Sequence, residues 1–124
     1  SIIFRGARVA KGAVVENSMI TDGCRVDGTV KHSILFAGVK VEAGAVVEDA
    51  VVMGNAVIKA GAQVKHCIVA EDAVVGENAI VGAMPEGDVK GVATIGPGVS
   101  VGANAKIGPN AMVKENVKEG EEQC

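Results

Sequence analysis

The chain has 124 residues, 48% of them hydrophobic, yet it contains no Trp, no Tyr and only two Phe, and it carries 17 Gly. One domain suits this length, its core must be built from aliphatics in the absence of rings, and Gly without a G-X-Y rhythm excludes collagen. A net charge of −3, with 12 basic and 15 acidic residues interspersed, leaves no basic block and no stacking aromatics for a nucleic-acid partner. No apolar run reaches membrane-spanning length, and the opening SIIFRGARV lacks the build of a signal peptide. Three Cys without metal spacing suggest reduced thiols and a cytoplasmic location.

Four fragments repeat along the chain: VVENSMI (14–20), TVKHSIL (29–35), VVEDAVV (46–52) and QVKHCIV (63–69). Between them aliphatics recur mostly at steps of six. In chain order they are Ile3, Val9, Val15; Ile20, Val26, Val30; Leu35, Val41, Val47; Val52, Ile58, Val64; and Val69, Val75, Val81. After an interruption the phase resumes at Ile95, Val101, Ile107 and Val113. Steps of six, six and five make a seventeen-residue turn of three short strands, and a four-residue step from Val26 to Val30 makes one turn of fifteen. A helix wants apolar residues every 3.6 positions, which a six-step does not supply.

Two residues before these aliphatics stand small or modest ones: Ala7, Cys24, Val39, Ala56 and Ala73 in one series, Ala13, Ala45, Ala62, Ala79 and Ala105 in the next. They can point inward beside a large aliphatic without overfilling the interior. Three residues after the first aliphatic of a turn come Gly6, Gly23, Gly38, Asn55, Asp72 and Gly98; after the second come Gly12, Gly44, Gly61, Asn78 and Asn104. Gly and Asn tolerate left-handed backbone, so these positions are corners. The fold expected is all-β, a triangular parallel β-helix of about six coils. Parallel crossovers are nearly always right-handed; the motif resembles the hexapeptide repeat, which implies the left-handed exception. The expected domain runs over 1–117, with a loop insertion at 82–94 (GAMPEGDVKGVAT) and a charged, fraying tail over 118–124.

In such a stack, residues one turn apart become neighbours at about 4.8 Å. One outward column then alternates in sign, Glu16, Lys31, Glu48, Lys65, beside a polar column of Asn17, His32, Asp49 and His66. The histidines read either as a catalytic base or metal ligands, or as members of a solvated register ladder; two coils apart, roughly 10 Å, they are too far from each other to share one metal. A second column is basic over three coils, Arg8, Arg25 and Lys40, and reads either as a site for a phosphate or anionic effector or as a solvated edge beside Asp27 and Glu42. The face centred on Ile3, Ile20, Leu35, Val52 and Val69 would expose two apolar stripes that include both Phe. Its candidate interface residues are Phe4, Met19, Ile34, Phe36, Val51, Met53 and Ile68, and an apolar patch of that extent marks a contact surface. No GxSxG, HExxH or GxxxxGK[ST] occurs, the GxG matches are corner residues, and Cys24 and Cys67 fall in inward slots that suit inert thiols, while Cys124 is terminal. No catalytic residue, metal ligand or cofactor is assigned.

The stretch GCRVDGTVKHSILFAGVKVEAGAVVEDAVVM (23–53), with its short coil at Val26–Val30 and its triplets Lys31-His32-Ser33 and Glu48-Asp49-Ala50, resembles the C-terminal β-helix of bacterial glucose-1-phosphate adenylyltransferase, catalytic or regulatory subunit. The resemblance implies an assembly and allosteric domain that packs against its own N-terminal nucleotidyltransferase domain and other subunits, within an enzyme that makes ADP-glucose and diphosphate from ATP and glucose 1-phosphate for glycogen synthesis. The fragment by itself would be inactive, and the reading frame upstream of Ser1 would encode the catalytic domain. A second class is a hexapeptide acyltransferase using coenzyme A, with loop 82–94 protruding and His32 or His66 as base; its weakness is that the histidines lie in a ladder and not beside the loop. A carbonic-anhydrase-like protein would need three His on zinc, and the chain has 2.

Overall fold

The computed structural model describes residues 2–3, 6–82, 93–107 and 112–123. Strands of two or three residues form three parallel sheets, one for each side of a triangular prism. The first face stacks Ile2–Ile3, Met19–Ile20, Ile34–Leu35, Val51–Val52, Cys67–Val69, Ala93–Ile95 and Met112–Val113. The second stacks Arg8–Val9, Arg25–Val26, Lys40–Val41, Val57–Ile58, Val74–Val75 and Ser100–Val101. The third stacks Val14–Glu16, Thr29–Lys31, Val46–Glu48, Gln63–Lys65, Ile80–Val81, Lys106–Ile107 and Glu122–Gln123. Every strand pairs only with the coil before and the coil after it, as in the parallel β-helix of hexapeptide repeats, which is left-handed.

The interior follows the sequence period. From Ile20 to Val81 each rung aliphatic is at most 1% exposed, so each contributes the roughly 1.5–3 kcal/mol of a fully buried aliphatic. Beside them Cys24, Val39, Ala56 and Ala73 line one edge of the prism and Ala45, Ala62, Ala79 and Ala105 the next. A third small-residue column completes the set: Ser18, Ser33, Ala50, Cys67 and Ala93, all buried. Its two serines solve a backbone problem. Ser18 Oγ donates to the Glu16 carbonyl at 2.8 Å and accepts the Ser33 N–H at 3.1 Å, and Ser33 Oγ repeats the pattern with the Lys31 carbonyl at 2.8 Å and the Ala50 N–H at 3.1 Å. A hydroxyl thus carries the ladder across the corner.

Two corners are those expected, with left-handed backbone at Gly23, Gly38, Asn55, Asp72 and Gly98, and at Gly12, Gly44, Gly61, Asn78 and Asn104. Gly38 is required for a second reason, because a Cβ there would meet the side-chain oxygen of Asn55 in the next coil; Gly61 stands in the same relation to Asn78. The third corner differs from expectation. Asn17, His32, Asp49 and His66, read from the sequence as an outward strand column, have φ of 47°, 50°, 50° and 50°, and Gly82 follows them at 62°. Asn, Asp and His are the non-glycine residues most enriched in this region, so the polar column is itself the missing turn.

The short coil has an equally local cause. Gly28 takes the place of a whole corner: its carbonyl accepts the Val14 N–H at 3.1 Å while the next residue, Thr29, donates to the Ala45 carbonyl at 2.9 Å. A Cβ on Gly28 would press into the carbonyl oxygens of Ala45 and Glu42. The insertion is narrower than 82–94, since Gly82 forms a corner and Ala93–Ile95 pairs with Cys67–Val69; its interior, 83–92, lies outside the described residues. The tail over 118–124 is corrected as well. Val117 is 4% exposed and bridges to Val101, and Glu122–Gln123 pairs with Lys106–Ile107, so the chain continues into a seventh coil rather than fraying. Gln123 is the register partner of Ile107, which is why a count of aliphatics stops too early.

Burial pushes the Cys67 thiol up to about 12 from 9.0, opposed by a hydrogen bond to the Lys65 backbone. The unfolded chain therefore loses this proton near pH 9 while the folded chain holds it to about pH 12, so stability falls as pH rises between those values. In denaturant titrations across that range, Cys67→Ala should show a flatter decline than the parent chain. Gly28→Ala should lower stability by about 1–3 kcal/mol through overpacking against backbone. Ser33→Ala should cost about 1–3 kcal/mol by leaving the Ala50 N–H unsatisfied, and thermal melts of the two variants measure both effects.

Candidate functional site

On the first face the residue before each inward aliphatic stands in one column, Met19, Ile34, Val51 and Ile68 in direct register, continued by Thr94 and Met112. Met19, Ile34 and Met112 are 36%, 40% and 70% exposed, while Val51 and Ile68 are half-buried. The residues after the aliphatics form the second stripe, with Phe36 at 45% exposed and Met53 half-buried. Six of the seven candidate interface residues therefore share this face, and Phe4 lies outside the described residues. The parallel ladder accounts for the stripes, because each coil repeats the same residue class at the same height of the strand. The other faces are mixed. The second passes from Arg8, Arg25 and Lys40 to Val57 and Val74, and the third alternates Val14, Thr29, Val46, Gln63 and Ile80. Val14, at 38% exposed, is an apolar surface residue that attention to Phe and Met passes over.

The basic column is in register, Arg8 against Arg25 and Arg25 against Lys40. Arg25 Nε donates to Asp27 Oδ2 at 3.1 Å, and Glu42 Oε1 accepts the Ala60 N–H at 3.1 Å, so both acids beside the column have partners. Arg25, Asp27, Lys40, Val41 and Glu42 line a shallow depression. On the third face Glu16, Lys31, Glu48 and Lys65 stand in the expected register. Opposite signs on adjacent rungs favour that pairing by a few tenths of a kcal/mol to about 1 each.

The histidine corner holds a correction. His66 Nε2 lies 3.5 Å from Asp49 Oδ2, with side chains 35% and 43% exposed. The next corner up is Gly82, the last described residue before the insertion, and Ala93, where the described chain resumes, donates its N–H to the His66 carbonyl at 3.3 Å. His66 is thus beside the insertion, contrary to the sequence expectation, because Gly82, sixteen residues further on, takes the same corner one coil up. Asp49 stands between the two histidine rungs and can orient the His66 imidazole. Cys24 Sγ donates to the Phe36 carbonyl at 3.0 Å and both described thiols are buried, so neither is placed as a nucleophile. Among the described residues no group of three His, Cys, Asp or Glu is arranged to hold a metal ion, and no helix is long and apolar enough to cross a membrane.

Comparison with known proteins separates the fold from its uses. Over 50 residues, 40% of this chain, the sequence is 48% identical to glucose-1-phosphate adenylyltransferase of Bacillus thuringiensis (strain Al Hakam), and equally to that of Bacillus anthracis. The matched stretch is 13% of the length of those relatives. Among solved structures, PerB from Caulobacter crescentus, in complex with CoA and GDP-perosamine, superposes with a TM-score of 0.58 at 20% identity, over 94% of this chain and 50% of that one. That likeness concerns the fold. A family model described as GlmU-like, C-terminal hexapeptide, matches residues 1–101, and the chain belongs to that family of hexapeptide-repeat β-helices.

Proposed function

We propose that this chain is the assembly domain of a glucose-1-phosphate adenylyltransferase, packing its first face against a nucleotidyltransferase domain that carries the ATP and glucose 1-phosphate sites. The observation that carries the reading is the in-register stripe Met19, Ile34, Val51 and Ile68 with Phe36 and Met53 beside it. Large apolar side chains left at the surface of a prism whose interior is already full serve a contact and not the core. The 48% identity to the Bacillus enzymes supports the identity of the partner. Regulation through the same contact follows in this reading, since any shift of the β-helix is transmitted to the domain it touches.

A second reading has one specific observation in its favour. The His66–Asp49 pair at the root of the insertion has the components of a general base and its orienting carboxylate. It suits acyl transfer from coenzyme A.

Docking is tested by titrating the chain with the separately produced nucleotidyltransferase domain of the Bacillus anthracis relative. Phe36→Asp and Ile34→Asp should weaken association at least about tenfold, or roughly 1.4 kcal/mol each, with melting temperatures close to the parent. Absence of association, or variants that bind as well as the parent, would overturn the proposal. Saturable binding of acetyl-CoA to the chain, abolished by His66→Ala, would establish the second reading in its place.

A further inference from the structure

We infer that the third face pairs with the same face of a second copy of this chain, the two prisms lying antiparallel. Its outward charges run Glu16, Lys31, Glu48 and Lys65 over four consecutive rungs, each in register with the next. Alternation over an even number of rungs has a property that a stripe of one class lacks: reversed end to end, the column presents the opposite sign at every height. A two-fold axis along the strand direction, between the second and third rungs, sets Glu16 against the partner's Lys65 and Lys31 against the partner's Glu48. Each pair then occurs twice, as an isologous contact requires. In a parallel two-fold arrangement the strands run opposite ways, and the charged column faces the uncharged one of Val14, Thr29, Val46 and Gln63. Every charge is then left unpaired, so the pattern selects the antiparallel orientation.

Two neighbouring columns obey the same symmetry. The corner residues Asn17, His32, Asp49 and His66 follow the charged column by one position, and the last three are held to the coil below by N–H bonds to the carbonyls of Glu16, Lys31 and Glu48. The axis that pairs the charges sets His32 against the partner's Asp49, an imidazole donor against a carboxylate acceptor. On the other side of the inward aliphatics it sets Thr29 against the partner's Val46, and these half-buried β-branched side chains allow a close approach at the centre. The charges are also available. Among the described residues Glu16, Lys31, Glu48, Lys65 and His32 form no ion pair within the chain, whereas Arg25 and His66 do. Four rungs span about 14 Å. That patch is smaller than the roughly 800 Å2 per partner of a stable dimer, so the contact is weak and electrostatic, with Kd on the order of 100 μM.

The test is analytical ultracentrifugation of the 124-residue chain up to millimolar concentration, in low and in high salt. A monomer–dimer equilibrium should appear and weaken at least about fivefold in high salt, where exposed charges are screened. Lys31→Glu and Glu48→Lys should each weaken self-association about tenfold or more, because each sets two like pairs at the centre of the dimer. An equimolar mixture of the two variants should recover the association of the parent chain, since opposite charges then meet across both central pairs. A ladder that serves only the register of its own coils gives no such rescue. Phe36→Asp on the first face should leave the dimer within about twofold. A chain that stays monomeric throughout, single variants that associate as the parent does, a mixture without recovery, or self-association abolished by Phe36→Asp each overturns the inference. None of these results depends on whether the first face docks a nucleotidyltransferase domain.

Discussion

The constraint on which this molecule depends is the corner. A strand of two or three residues can add only a few hydrogen bonds to a ladder, so its stability comes from the coils above and below it, and the chain must return to the same height after every turn. That return needs backbone with positive φ at each edge of the prism, where an L side chain is strained. Gly, Asn, Asp and His meet the requirement at different edges, and two of the glycines meet a further one, because an Asn of the next coil leaves no room for a Cβ. Aliphatic burial, the serine relay and the register of the charged columns all presuppose that the corners close.

Much of this was legible in the residues because the interior has a strict period. The aliphatic steps and the small inward residues placed the strands and two corners, and they placed the apolar stripes on one face. The third corner was harder to see because it is filled by residues that also read as a polar surface column. Nothing in His32 or His66 distinguishes a left-handed turn from an outward strand position until the hydrogen-bonded neighbours are known. The last coil was missed for the opposite reason: its third rung has Gln123 where the period asks for an aliphatic, and pairing with Lys106–Ile107 maintains the strand. The position of His66 beside the insertion follows from adding turns of unequal length, which no local motif reports.

The surface is organised by the same repetition. A parallel solenoid copies each outward position up the stack, so a change of residue class at one height of the strand produces a stripe rather than a patch. This explains why the first face is apolar over four consecutive rungs and why three cations align on the second. It also explains why chemistry is sparse. A repeated column offers many copies of one group, whereas a reaction needs different groups converging, and convergence arises only where the repetition is broken. The insertion is such a break, and the His66–Asp49 pair occurs at its root.

The unbroken register on either side of the insertion has a consequence for how such chains diversify. Val64, Val81 and Ile107 remain in one register line across it, and Val69 pairs with Ile95 as it does with Val52. The ladder on either side is therefore indifferent to how many residues depart from that corner. Segments of different length and chemistry can be exchanged there with no shift of any inward side chain, and a new surface can be tried while the scaffold beneath it is inherited intact. A β-helix of this kind behaves as a mounting rail, on which the position of an accessory element is set by counting coils and its content is free to vary.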